Sequence, residues 1–197
     1  ELPESIDKIS DAAEARVIVL SSQGKHFCAG MDLANFQDDG EMHGTDAKKV
    51  SQGRRSEAQF RVTRELQYTI SCLEKARMPV IAAIQGACIG GAVDLVTACD
   101  IRYAANDAFF CIQEINIGMA ADVGTLQRLP YLIPEGIVRE LAYTGRRFSA
   151  DEALRYGLIN AVFDTHETVI DHALNVAREI ADKAPLATTG IKEVLNY

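Results

Sequence analysis

The sequence predicts an α/β fold with mostly parallel strands. Three short runs rich in β-branched residues have the composition of buried strands, namely Arg16–Ser21, Pro79–Ile84 and Ile101–Ala104. Segments with helical pattern separate these runs, and strands that alternate with helices usually form a parallel sheet covered by helices. With 197 residues, of which 48% are hydrophobic, the chain is long enough to bury a sizeable core.

A long amphipathic helix is predicted over residues 56–77, before Pro79. The polar residues 34–55 lack periodicity, which predicts a long connection of the kind that often forms a lid or a binding loop. Basic residues cluster around this junction. A solvated helix face explains most such clusters, and contact with an anionic ligand is the alternative. The cluster consists of Lys48, Lys49, Arg54, Arg55, Arg61 and Arg64.

Local signals place the later elements. Gly90 and Gly91 precede the apolar segment 92–99, which predicts a glycine turn that opens a core helix. Ser149 and Glu152 have the spacing of a capping box, so that a helix should follow and end at Gly157. A strand over residues 158–163, a helix over 165–184 and a further helical start at 186 complete the prediction.

Composition excludes several classes of function. The net charge of -8 disfavours nonspecific nucleic-acid binding. No apolar run reaches the length of about 18 residues that a membrane span needs. The five cysteines lack CxxC spacing and the four histidines lack metal-ligand spacing. A reducing compartment, no metal site and no membrane partner are therefore expected.

Two glycine-bearing turns follow predicted strands, over residues 25–33 and 84–95. Glycine lets the backbone approach a ligand closely, and a helix N-terminus presents free N–H groups. If the turns meet, two N–H groups can hold one oxygen that becomes negative during a reaction. Tight packing between helix and strand is the alternative explanation for Gly90-Gly91. A dinucleotide site is poorly supported because the GxGxxG spacing is absent.

Three carboxylates stand in apolar surroundings: Asp94, Glu114 and Asp122. Burial of an unpaired charge is costly, so that such residues are seldom present for packing. Desolvation is expected to raise their pKa values toward those useful for proton transfer. The structural alternatives are that Asp122 caps a helix that begins at Val123, and that Arg128 pairs with Glu114.

Three segments resemble the crotonase (enoyl-CoA hydratase/isomerase) superfamily: FCAGMDL, PVIAAIQGACIGGAVDLVTACDIRYA and FFCIQEINIGMAADVGTLQRLP. The resemblance covers residues 16–163. It implies a spiral of stacked ββα turns, truncated at both ends, with a catalytic core over 1–185 and the start of a C-terminal helical region over 186–197. It also implies an acyl-CoA substrate, no separate cofactor, and a homotrimer or hexamer. The implied oxyanion-hole amides are those of Met31 and Gly91, and the implied substrate-binding residues are Ala29, Gly30, Asp32, Leu33 and Gly90.

The acid pattern resembles the dienoyl-CoA isomerase branch of that superfamily. Hydratases of the superfamily carry glutamates at the places of Asp94 and Glu114, and usually glycine at that of Asp122. The branch implies a shift of double bonds from 3,5-dienoyl-CoA to 2,4-dienoyl-CoA in fatty-acid β-oxidation. Glu114 is assigned to C2, Asp122 to C6 and Asp94 to tuning, although the first two roles are interchangeable. A 2-enoyl-CoA hydratase and a non-catalytic binding module are the alternatives. The expected location is cytoplasmic, or mitochondrial or peroxisomal in a eukaryote.

Overall fold

The computed structural model describes residues 1–32 and 52–197. Within these ranges, four parallel strands form one sheet in the order β1-β2-β4-β7. A second sheet has the order β3-β5-β6, in which β3 and β5 are parallel and β6 is antiparallel to β5. The strands are β1 Ile18–Leu20, β2 Val80–Ile84, β3 Ala87–Ile89, β4 Ile101–Ala105, β5 Phe109–Cys111, β6 Phe148–Ser149 and β7 Ala161–Phe163.

The chain winds through the two sheets in successive turns. It passes from β2 in the first sheet to β3 in the second and then into α3, and the next turn repeats the pattern with β4, β5 and a 3₁₀ turn. This arrangement confirms the expected ββα spiral. The helices are α1 Leu2–Ala12, α2 Gln52–Lys75, α3 Gly91–Thr97, α4 Thr125–Leu132, α5 Glu135–Thr144, α6 Ala150–Tyr156, α7 His166–Ala181 and α8 Pro185–Asn196, with the 3₁₀ turn over Glu114–Ile117.

The sequence predicted the strands of the first sheet and the helices α2, α3, α6, α7 and α8, whereas the helices α1, α4 and α5 and the short strands of the second sheet were missed. Runs of two or three residues such as β3, β5 and β6 are too short to carry a periodic signal. The capping box of Ser149 and Glu152 is confirmed, as is the end of α6 at Gly157. Helix α2 begins at Gln52, so that residues 52–55 belong to it rather than to the predicted connection. The rest of that connection lies outside the described residues.

Strand β2 is the centre of the core and is buried along its whole length. Because side chains alternate across a strand, Val80, Ala82 and Ile84 point into the main core. Ile81 and Ala83 point the other way, into a second cluster to which α7 contributes. Both faces of β2 are therefore covered, which is why its sequence is continuously apolar rather than alternating.

Helix α8 is fastened to this core by Lys192, which is only 5% exposed. Its ammonium donates to the carbonyl oxygens of Leu73 and Met78, at 3.0 Å and 3.2 Å, and to Asp100 Oδ2 at 2.7 Å. The same Asp100 oxygen accepts the N–H of Val80 at the start of β2. The contact joins the segment 186–197 to the core, and the division of the chain at residue 185 stays a prediction.

Replacing Lys192 with Met is expected to lower the free energy of unfolding by about 2 kcal/mol, because it leaves the carbonyl groups of Leu73 and Met78 without their donor and removes the ion-pair partner of Asp100. Urea unfolding should show a lower midpoint with an unchanged m-value. The control is Arg139→Met, which breaks an exposed ion pair with Glu135 and should leave the midpoint at the parent value. Equal midpoints for the two variants would contradict the anchoring role of Lys192.

Candidate active site

The two glycine turns lie side by side. Cys28 and Cys88 form a parallel bridge. The Cys28 N–H donates to the Ala87 carbonyl at 3.0 Å, and the Ile89 N–H donates to the Cys28 carbonyl at 3.1 Å. The turn after residue 28 and the turn after residue 89 are therefore joined by main-chain hydrogen bonds, as the oxyanion-hole prediction required.

The backbones of the two turns are also in close contact at Gly30 and Gly91. Gly30 has φ of 92°, and a Cβ atom there would lie 2.9 Å from the Ile89 carbonyl oxygen and 3.8 Å from the Gly91 nitrogen. Gly91 is the first residue of α3, so that its N–H faces out of the helix N-terminus. Among the residues that the structure describes, no acceptor is found for the N–H of either Met31 or Gly91. The two predicted donors are thus neighbours.

Glu114 borders the same turn. A Cβ atom on Gly90 would lie 3.3 Å from Glu114 Oε1, and the φ of 57° at residue 90 also favours glycine, so that the glycine leaves room for this carboxylate against the turn. Glu114 Oε2 is buried and has no hydrogen-bond partner within the described part of the chain. Burial raises the pKa of Glu114, and the charges of Asp94 and Asp122 add to the rise. A raised pKa makes a carboxylate a stronger proton acceptor, which suits Glu114 to acid–base chemistry.

Asp94 is 1% exposed, and its Oδ1 accepts the N–H of Thr125 at 2.5 Å. Thr125 is the first residue of α4, so that the carboxylate of α3 holds the N-terminus of α4. Burial raises the pKa of Asp94. The hydrogen bond from Thr125 and the charge of Arg128 act against that rise, and the charge of Asp122 adds to it. The predicted burial of Asp94 is confirmed, and its side chain connects α3 to α4.

Asp122 corrects one expectation. The side chain is exposed rather than buried, because the chain at this point forms a turn before α4. It does not cap a helix at Val123, since α4 begins two residues later and Asp94 accepts the amide there. The main-chain oxygen of Asp122 accepts from Gln67 Nε2 at 3.1 Å, which ties the turn to α2. Asp122 is nevertheless close enough to the other two acids for its charge to raise their pKa values.

Arg128 does not pair with Glu114. Its guanidinium donates to Glu74 Oε2 at 2.8 Å and to Ser71 Oγ at 2.9 Å, both on α2. It also passes directly over Gly124, where a Cβ atom would lie 1.9 Å from Arg128 Nη1. This support for the turn that carries Asp122 was missed in the sequence, because nothing local links residue 128 to a helix more than fifty residues earlier.

The remaining predicted substrate-binding residues lie in the first turn. Ala29 and Asp32 are exposed and flank Gly30, whereas Leu33 lies outside the described residues. Within the described ranges, no group of three or more potential metal-ligating side chains is found. No helix in those ranges is both long and apolar enough to cross a membrane.

The chain is similar to known proteins along its whole length. The enoyl-CoA hydratase/isomerase family matches residues 1–197. The mitochondrial Δ3,5-Δ2,4-dienoyl-CoA isomerase of Pongo abelii is 47% identical, with 100% of this chain and 59% of that protein covered. The peroxisomal Δ3,5-Δ2,4-dienoyl-CoA isomerase of Arabidopsis thaliana is 44% identical, with coverage of 99% and 69%. This chain therefore spans about three fifths of the length of the first of these relatives.

A solved structure supports the same relationship. The crystal structure of an enoyl-CoA hydratase from Bacillus anthracis superimposes with a TM-score of 0.82 at 33% sequence identity. The match covers 98% of this chain and 69% of that one. The two-sheet spiral described above is thus shared with a solved relative.

Asp94→Asn is expected to be at least as stable as the parent at neutral pH, because the amide oxygen can still accept from Thr125 while the buried charge is removed. The unfolded pKa of an aspartate is about 3.9, and the folded pKa of Asp94 is higher. The ionised parent therefore loses stability relative to the variant as pH rises from the unfolded to the folded pKa, and the difference levels off above that.

Urea unfolding at a series of pH values measures this difference. Asp94→Leu, which removes the acceptor, is the control and should be less stable than the parent throughout. A parent that gains stability over Asp94→Asn with rising pH would contradict the sign of the shift.

Proposed function

This chain belongs to the enoyl-CoA hydratase/isomerase family, and we propose that it converts 3,5-dienoyl-CoA thioesters to 2,4-dienoyl-CoA thioesters. One observation carries the proposal. Glu114 lies against Gly90 in the paired glycine turns, and the exposed Asp122 is close enough to act electrostatically on it. Relatives named Δ3,5-Δ2,4-dienoyl-CoA isomerase, 44% to 47% identical, support the same reaction.

The first step forms a dienolate. The thioester oxygen accepts hydrogen bonds from the N–H groups of Met31 and Gly91, which polarises the carbonyl and acidifies C2. The Glu114 carboxylate removes the C2 proton, and the electron pair spreads over the thioester oxygen and the diene. Donors that are already in place cost no reorganisation as this charge develops, and in known enzymes one such donor is worth roughly 3 kcal/mol.

The second step returns a proton at the far end of the diene. The Asp122 carboxylate takes up a proton from water and passes it to C6, the double bonds move to C2 and C4, and the carbonyl re-forms. Glu114 is left protonated and releases its proton to water, and Asp122 ends ionised, as it began. The exposure of Asp122 suits this exchange. If Asp122 acted at C2 and Glu114 at C6, the net reaction would be the same.

Hydration of a 2-enoyl-CoA is the second candidate, since a solved neighbour is an enoyl-CoA hydratase. In that reaction, residues 94 and 114 together would position a water molecule. Asp94 is a poor partner for water because it is 1% exposed and one of its oxygens holds Thr125. The proposed role of Asp94 is therefore to hold α4 and tune the other acids.

Assembly and location belong to the same proposal. The proposal includes a homotrimer or hexamer, an assembly that would cover some of the large apolar side chains exposed in the isolated chain; these include Tyr131, Tyr143, Leu186, Val194 and Leu195. Coenzyme A enters as part of the substrate, with no separate cofactor. The relatives' mitochondrial and peroxisomal names support an organelle that oxidises fatty acids.

Glu114→Gln is expected to lower kcat for 3,5-dienoyl-CoA by about 10²- to 10⁴-fold, because it removes the proposed base. The assay follows formation of the conjugated 2,4-dienoyl-CoA by absorbance, and a 2-enoyl-CoA is offered in parallel to test hydration. Asp171→Asn, which removes an exposed carboxylate on α7, is the control and should keep the parent rate. Faster consumption of 2-enoyl-CoA than of 3,5-dienoyl-CoA by the parent would favour the hydratase.

Asp122→Asn should separate the two proton transfers. With Glu114 intact, C2 deprotonation continues, so that substrate in deuterated water still acquires deuterium at C2. Isomerised product should fall by about 10²-fold or more, because C6 receives no proton. Mass spectrometry of recovered substrate and product measures both quantities. Loss of exchange together with isomerisation would show that Asp122 acts at C2, and full isomerisation would remove it from the reaction.

A further inference from the structure

The junction of the two glycine turns contains an irregularity in its hydrogen bonding. The Phe27 N–H donates to the Gln85 carbonyl at 2.8 Å, and the next N–H, from Cys28, donates to the Ala87 carbonyl at 3.0 Å. The two donors are consecutive in the first segment, whereas their acceptors are two residues apart in the second. The second segment therefore has one extra residue between the two hydrogen bonds. Such a bulge leaves one main-chain group without its usual partner.

His26 supplies the missing partner. The group left over is the N–H of Ala87, a residue that is 4% exposed, and it donates to Nδ1 of His26 at 3.0 Å. Because a main-chain N–H can only donate, Nδ1 must be the unprotonated nitrogen of the ring. The carbonyl oxygen of His26 in turn accepts from Ser22 Oγ at 2.8 Å, which fixes the residue from the other side.

Gly86 makes room for this contact. Its φ is 54°, and a Cβ atom there would lie 2.3 Å from the Lys25 carbonyl oxygen and 2.6 Å from His26 Nδ1. The absence of a side chain at residue 86 therefore brings the imidazole against the bulge. Two independent features, the left-handed glycine and the side-chain acceptor, maintain the same offset between the strands.

We infer that His26 is a positioning residue for the oxyanion hole, acting through Ala87. Met31 lies five residues after His26 in the first turn, and Gly91 lies four residues after Ala87 in the second. The offset at the bulge sets the register in which the two amides meet. The inference rests on the proposed function, in which these amides hold the thioester oxygen. His26 itself is exposed, and its inferred role runs through its hydrogen bond to Ala87.

His26→Leu removes the acceptor and covers the Ala87 N–H with apolar atoms. Since a misplaced oxyanion hole weakens transition-state binding, kcat should fall by about 10- to 100-fold while KM changes by less than about twofold. His26→Asn is the matched rescue, because Oδ1 of asparagine occupies nearly the place of Nδ1. It should restore kcat to within about threefold of the parent. His172→Leu, which removes a histidine packed on Tyr103 and Phe163, controls for loss of a ring elsewhere.

A second measurement reports the hydrogen bond independently of activity. Hydrogen–deuterium exchange of peptides that contain Ala87 should be slow in the parent and His26→Asn proteins and faster in His26→Leu. Unchanged kcat in His26→Leu, or an equal loss in His26→Asn, would overturn the inference. If the parent turns over neither 3,5-dienoyl-CoA nor 2-enoyl-CoA, the proposed function fails. Equal exchange in the parent and His26→Leu would then separately rule out the bond on which the positioning role depends.

Discussion

The pairing of residues 27–28 with residues 85–89 is the interaction on which the candidate site depends. Each of these segments follows a strand of the parallel sheet, and each leads into a glycine turn. Without main-chain hydrogen bonds between them, the N–H groups of Met31 and Gly91 would have no fixed relation. The sheet places the strands β1 and β2 next to each other. The hydrogen bonds beyond the ends of these strands keep the two chain segments adjacent as far as the glycine turns.

Burial then divides three similar acids into different roles. Asp94 is sealed in the core and holds the first amide of α4. Glu114 is half-buried against a glycine that leaves room for it, and Asp122 is exposed. The charge of Asp122 raises the pKa of Asp94, and the charges of Asp94 and Asp122 raise the pKa of Glu114, in both cases on top of the larger effect of burial. A graded series of environments suits proton transfer, because one acid must give up a proton while another accepts one.

Support for the acids comes from distant parts of the chain. Arg128 braces α4 against α2 through Glu74 and Ser71, and Gln67 of the same helix reaches the main chain at Asp122. Helix α2 therefore supports the segment that carries Asp122, which connects the 3₁₀ turn to α4. The site is assembled from local glycine geometry and from contacts that span more than fifty residues.

The sequence by itself determined the α/β class, the helices α2, α3, α6, α7 and α8, the two glycine turns and the identity of the three acids. These features depend on periodicity, on caps such as Ser149 with Glu152, and on residue types that act locally. Tertiary structure alone decided which carboxylate is buried, that Arg128 pairs with Glu74 rather than Glu114, and that His26 takes the leftover amide at the bulge. The physical reason is that burial and pairing depend on segments far apart in the chain, about which a local pattern carries no information.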